Sequence, residues 1–226
     1  LLRSCANGRS DSVVDRIQLP RVKVCGLTNP VDVARALECG ADALGVVLHS
    51  PSPRSVAPDG LERVLENVPR QVPRIAVLVD TDPVAAAELL RTTPVNWVQL
   101  CGPAEPKEWV GFQAPILRRI PVEAGAEESM GAWAGIASGF VLDHPSTPGG
   151  SGTSVDWKLA KKLCELGPCL LAGGLHGDNV VAAIGAVLPR GVDASSRLEQ
   201  APGIKDPERL SSYILKALTT FAALSQ

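Results

Sequence analysis

The sequence predicts an α/β fold, a single (β/α)8 TIM barrel with a short N-terminal extension, on three observations. Eight short β-rich apolar runs recur along the chain, stretches of helical spacing alternate with them, and polar or glycine-rich groups fall just after the runs. With 226 residues, 45% of them hydrophobic, the chain suffices for one full core and not for two. Residues 1–20 read as the extension and 21–226 as the barrel, the catalytic domain.

The runs are 22–25, 43–48, 74–79, 97–100, 114–120, 139–142, 169–172 and 191–194. They are predominantly apolar, as expected of parallel strands covered by helices. The first leads to a helical pattern at 31–39, with Thr28 or Asn29 as cap and Pro30 in the first turn. The second leads to 61–68 and the third to 83–91, where Asp82-Pro83 repeats the capping arrangement. After the fifth run a helix over 127–136 is interrupted by glycines and is the least regular unit. The last three runs lead to 157–166, to 179–188 with Asp178 or Asn179 at its start, and to 207–224. An open doubly wound sheet is the competing topology. Closure is favoured because the repeat is regular and the polar residues cluster at strand C-terminal ends, and because no G-x-G-x-x-G turn follows the first strand.

Bulk properties narrow the partners. The 22 basic and 24 acidic residues give a formal charge of -2 with no basic block, which argues against nucleic acid and membrane surfaces. The cysteines Cys5, Cys25, Cys39, Cys101, Cys164 and Cys169 form no CxxC pair, so reduced thiols in an intracellular compartment are expected. His49, His144 and His176 lack ligand spacing, and no metal site is expected. No run reaches the roughly 18–20 apolar residues of a membrane span. Cytoplasm is the expected location, with an organelle such as a plastid the alternative if the natural start lies upstream of Leu1. A monomer or a homodimer suits a barrel of this size.

Chemistry concentrates at the strand ends. Cys25 follows the first run and precedes a glycine and a helix cap; its thiol is either a nucleophile or base, once ionised below its usual pKa of about 8.5, or a small core residue. Asp143 ends the sixth run and is either a turn-former or an acid in a partly dehydrated mouth. Arg54, after the stiff Ser50-Pro51-Ser52-Pro53, offers a planar fork for a carboxylate or else pairs with Asp59 or Glu62. Lys23 sits mid-strand, where an inward cation needs an acidic partner or the substrate. Gly149, Gly150, Gly152, Gly173, Gly174, Ser195 and Ser196 supply uncluttered backbone N–H groups suited to a phosphate after strands six to eight.

These residues resemble the phosphoribosylanthranilate isomerase family of tryptophan biosynthesis. The likeness runs in order through Lys23-Val24-Cys25-Gly26-Leu27-Thr28, Gly40-Ala41-Asp42-Ala43-Leu44-Gly45, Ser52-Pro53-Arg54-Ser55-Val56 and Val98-Gln99-Leu100. It continues in Gly149-Gly150-Ser151-Gly152 with Asp156-Trp157, Leu171-Ala172-Gly173-Gly174-Leu175 with Asn179-Val180, and residues 203–206. The resemblance implies an Amadori rearrangement without a cofactor, on a small phosphorylated substrate. It implies Cys25 as general base, Asp143 as general acid, Arg54 on the anthranilate carboxylate, and Gly150, Gly152, Gly173, Gly174, Ser195 and Ser196 on the ribose phosphate. Two positions depart from the family pattern: Cys101 replaces a usual histidine and Arg197 a usual glycine. If that glycine has positive φ, an arginine there is strained by about 1 kcal/mol or more, and Arg197 either adds a cation to the phosphate or fills its cradle. Two other readings are a relative using the same acid and base on a different, unphosphorylated substrate, and a catalytically silent barrel acting as an assembly partner.

Overall fold

The computed structural model describes residues 17–48, 51–145 and 155–225. Its strands are β1 (Val22–Val24), β2 (Ala43–Val47), β3 (Arg74–Leu78), β4 (Trp97–Leu100), β5 (Ile116–Pro121), β6 (Gly139–Asp143), β7 (Cys169–Leu171) and β8 (Gly191–Ala194). They pair in parallel in chain order, and β8 returns to β1 with Val22 opposite Val192, closing the barrel. Every expected run is a strand.

The helices are α1 (Pro30–Glu38), α2 (Leu61–Val64), α3 (Pro83–Thr92), α4 (Ala126–Ala132), α5 (Trp157–Leu166), α6 (Val180–Val187) and α7 (Pro207–Leu224). Side chains of Asn29, Asp82, Asp156 and Asp206 cap α1, α3, α5 and α7 by accepting N–H groups of the first turn. α6 is one residue shorter at each end than its pattern, and two helices are shortened more. α2 stops before Asn67, which turns left-handed at φ 63° ahead of Pro69, and α4 lies between the positive-φ glycines Gly125 and Gly135. Asn179 precedes α6 without capping it. Its side chain instead accepts from His176 N at 2.8 Å and donates to the Gly174 carbonyl at 3.0 Å, tying down the turn after β7.

One element goes beyond the eight expected units. A hairpin of β9 (Glu199–Ala201) and β10 (Ile204–Lys205) turns at Gly203, with φ 81°, between β8 and α7.

The main core lies between strands and helices, with Tyr213 and Phe221 of α7 among its members. A second cluster fills the barrel interior from Leu19 at its N-terminal end: Leu19, Ala43, Ile75, Trp97, Leu117, Leu170, and Val141 and Ala172, which reach the cavity at the other end. Residues 17–20, the described end of the expected extension, thus form part of the barrel floor. Gly139 and Gly191 admit them, since a Cβ at Gly139 would lie 2.6 Å from Leu19 Cδ1 and one at Gly191 only 2.1 Å from the Pro20 carbonyl oxygen. With the floor filled, open space remains at the opposite, C-terminal end. Among the described residues no helix is long and apolar enough to cross a membrane.

Candidate active site

That open end holds a cavity of about 560 Å³. Cys25 from the end of β1, Arg54 from the loop after β2 and Asp143 from β6 all line it. Gly173, Gly174, Ser195, Ser196 and Arg197 complete the side formed by β7 and β8. Gly150 and Gly152 lie outside the described residues.

Cys25 is 7% exposed, and its amide donates to the Ala194 carbonyl at 2.9 Å, continuing the β1–β8 ladder by one residue. The chain then turns sharply at Gly26, with φ 71°. A Cβ there would meet Ser195 Oγ at 2.6 Å and Arg54 Cδ at 2.8 Å, so only glycine brings the three loops together. Burial pushes the Cys25 thiol up from its ordinary value, and the Lys23 ammonium is the foremost group opposing that push. Lys23 itself is fully buried and donates to Asp193 Oδ2 at 2.7 Å. Burial alone would depress its ammonium, but Asp193 and Cys25 outweigh that and hold it above the ordinary lysine value.

Asp143 accepts from Arg119 Nε at 3.0 Å and from the His144 amide at 2.8 Å, while Arg119 Nη2 donates to the His144 carbonyl at 2.7 Å. The carboxylate therefore has a turn role and a fixed orientation at once. Arg119 was not singled out in the sequence, although two consecutive arginines inside an apolar strand are a visible signal. Its neighbour Arg118 donates to the carbonyls of Leu100 and Gly102 at 3.2 and 2.6 Å and lies over the Trp133 ring, 5.2 Å from its centroid. Cys101, at the position of the family's usual histidine, accepts from Gln99 Nε2 at 3.3 Å, and burial pushes its thiol up to about 11.

Arg54 pairs with neither local carboxylate. Its Nε and Nη2 engage Glu199 at 2.8 Å each, and Ser52 Oγ accepts its amide at 3.2 Å. Lys205, fully buried, donates to the same Glu199 at 2.9 Å and to the Ser195 carbonyl at 3.2 Å. One glutamate of the unexpected hairpin thereby holds a cation from the far side of the sequence in the mouth.

The glycine turn after β7 has φ of 81° at Gly173 and 72° at Gly174, conformations that suit glycine. Arg197 is different. It lies in a 3-10 turn, Ser196–Leu198, and is not among the positive-φ residues, so no backbone strain attends the arginine.

A buried thiol, an oriented carboxylate and a braced guanidinium gather around one barrel mouth, the end at which α/β-barrel enzymes assemble their sites. Residues 22–216 match the family model for N-(5'phosphoribosyl)anthranilate (PRA) isomerase. The chain is 36% identical over 200 residues to the isomerase of that name from Thiobacillus denitrificans, covering 87% of this chain and 97% of that one. The Pseudomonas putida counterpart is 36% identical over 199 residues, covering 86% and 95%. The crystal structure of the Thermotoga maritima enzyme matches with a TM-score of 0.82 at 30% identity, over 89% of this chain and all of that one. Another, in complex with reduced 1-(o-carboxyphenylamino)-1-deoxyribulose 5-phosphate, matches at 0.79 and 28% identity over 89% of this chain and 100% of the other. The chain belongs to the phosphoribosylanthranilate isomerase family.

Proposed function

We propose that this chain converts N-(5-phosphoribosyl)anthranilate to 1-(2-carboxyphenylamino)-1-deoxyribulose 5-phosphate in tryptophan biosynthesis. The observation that carries the reading is the meeting of Cys25, Asp143 and Arg54, from three separate strand ends, in one cavity. Asp143 protonates the ribose ring oxygen and the ring opens to a Schiff base. Cys25 takes the C2' proton, and the resulting enolamine collapses to the ketone. Hydrogen moves from C2' to C1' by proton transfers with no net change of oxidation state, so the chemistry calls for no cofactor.

The geometry assigns support to each step. Arg119 orients the Asp143 carboxyl through its 3.0 Å bond. Glu199 occupies Nε and one Nη2 proton of Arg54, and the remaining N–H groups are the donors we assign to the anthranilate carboxylate. Backbone N–H groups at Gly173 and Gly174, with Ser195, Ser196 and the Arg197 cation, are assigned to the phosphate. A ligand carrying both anions, bound in one of the related structures, supports this two-ended reading. Its bacterial relatives support a cytoplasmic location and give none to a plastid; we take the working form to be a monomer or homodimer.

The test is loss of substrate fluorescence with phosphoribosylanthranilate generated in situ. Cys25→Ser and Asp143→Asn are each expected to lower kcat by about 10³-fold while the protein stays folded. Wild-type turnover in either variant would remove that residue from the mechanism.

A further inference from the structure

Lys23 precedes Cys25 by two residues and projects from the same face of its strand, because strand side chains repeat every second position. Both side chains converge on Gly45 of β2. A Cβ there would lie 2.8 Å from Cys25 Sγ and 3.2 Å from Lys23 Cε, so the glycine is the space in which thiol and ammonium meet. Across the barrel seam Lys23 stands opposite Asp193, whose Oδ2 accepts its proton at 2.7 Å. The other oxygen, Asp193 Oδ1, is buried with no donor. Such a pair loses hydration on both sides, and an apolar pair of similar volume is often at least as stable. Stability alone does not explain it.

Charge counting supplies a role. Among the described residues, the charged groups facing Cys25 are Lys23 from β1, Arg54 from the loop after β2, Asp193 from β8 and Lys205 from β10. Glu199 of β9 is bonded to both Arg54 and Lys205, and the thiol of Cys101 faces Cys25 from β4. Three cations thus stand against two carboxylates. A thiolate at Cys25 brings the cluster to neutrality.

We propose that Lys23, held by Asp193, is the positioning residue of the catalytic thiol: its ammonium donates to Cys25 Sγ and supplies the charge that sustains the thiolate until it takes the C2' proton and becomes the neutral thiol. This rests on Cys25 being the base. Lys23 favours ionisation of the thiol whereas Asp193 opposes it. The two partners therefore act on Cys25 with opposite sign, and if the ammonium sustains the thiolate, kcat must follow the Cys25 midpoint when either partner is changed.

The test is alkylation of Cys25 by iodoacetamide as a function of pH, with the modified residue quantified by mass spectrometry, alongside kcat and KM. Lys23→Met is expected to move the Cys25 midpoint up by about one pH unit. It should also lower kcat about 100-fold with KM within about threefold of wild type. Asp193→Asn, which keeps the side-chain shape, should move the midpoint down, and Lys23→Arg should restore much of what Lys23→Met loses. Midpoints that stay fixed, or that rise in both variants, overturn the proposal. If Lys23→Met fails to fold, Asp193→Asn decides alone, an unchanged or raised midpoint counting against it. Wild-type turnover in Cys25→Ser would instead overturn the base assignment, a result read from the rate without alkylation.

Discussion

Gly26 and Gly45 are places where one added methyl reaches the chemistry directly. At Gly26 the methyl would meet Ser195 Oγ at 2.6 Å and the Arg54 stem at 2.8 Å, on a backbone already at φ 71°. Gly26→Ala should cost about 1–3 kcal/mol and lower kcat/KM, because the carboxylate clamp and a phosphate-side serine both have to move. Gly131→Ala is the control: a Cβ there meets nothing within 4 Å and the site lies inside α4, so a gain of about 0.5–1 kcal/mol is expected. Thermal denaturation of the two variants checks both signs. Arg197 yields a different expectation. Since no positive φ burdens it, Arg197→Gly should release no strain. It should instead raise KM severalfold at nearly constant kcat, because the arginine is assigned to binding and not to proton transfer; a fall in kcat with unchanged KM would contradict that assignment.

The β9–β10 hairpin is the element that makes Arg54 usable. Burial would push Glu199 upward, but its bonds to Arg54 and the charge of Lys205 outweigh this and hold it below the ordinary glutamate range. A carboxyl depressed in the folded state contributes its full stabilisation above the unfolded value of about 4.3, and that contribution is lost as pH falls through the folded value. Wild-type stability should therefore drop below about pH 4 more steeply than that of Glu199→Gln. The variant should start about 3 kcal/mol lower at neutral pH, since it leaves the buried Lys205 and the partly buried Arg54 short of a partner. Parallel acid limbs in urea titrations at stepwise pH would refute the linkage. This hairpin was the least legible part of the site. Its strands are three and two residues long, too short for a period to register, and Glu199 meets Arg54 across 145 positions of sequence. Reading locally, Asp59 and Glu62 were the natural partners, and only the closed barrel brings a distant glutamate nearer. Cys25, Asp143 and Arg54 were legible for the opposite reason, because Cys25 and Asp143 stand at the ends of apolar strands and Arg54 in the proline-stiffened loop after one, where a parallel barrel opens.

At the scale of the molecule, the eight strands were readable because strands buried on both faces are written as predominantly apolar runs. The floor was not: Leu19 and Pro20 become core only through the space left by Gly139 and Gly191, a contact without sequence periodicity. Filling one end of the barrel leaves the binding free energy to the other, where Arg54 stands on the β2 side and Gly173, Gly174 and Ser195 on the β7–β8 side. If these sites hold opposite ends of one ligand, they should respond separately to substitution. Reduced 1-(o-carboxyphenylamino)-1-deoxyribulose 5-phosphate at about 100 times its Kd should stabilise the wild type by about 2.7 kcal/mol, a rise in Tm of roughly 5–10 °C. Arg54→Met should lose much of that rise yet keep the smaller wild-type shift produced by inorganic phosphate, which has no carboxylate for Arg54 to hold. Arg197→Gly should reverse the pattern, weakening the phosphate shift most. Equal loss of both shifts in Arg54→Met would mean that the clamp and the cradle are one site, and would overturn the two-ended arrangement proposed for the ligand.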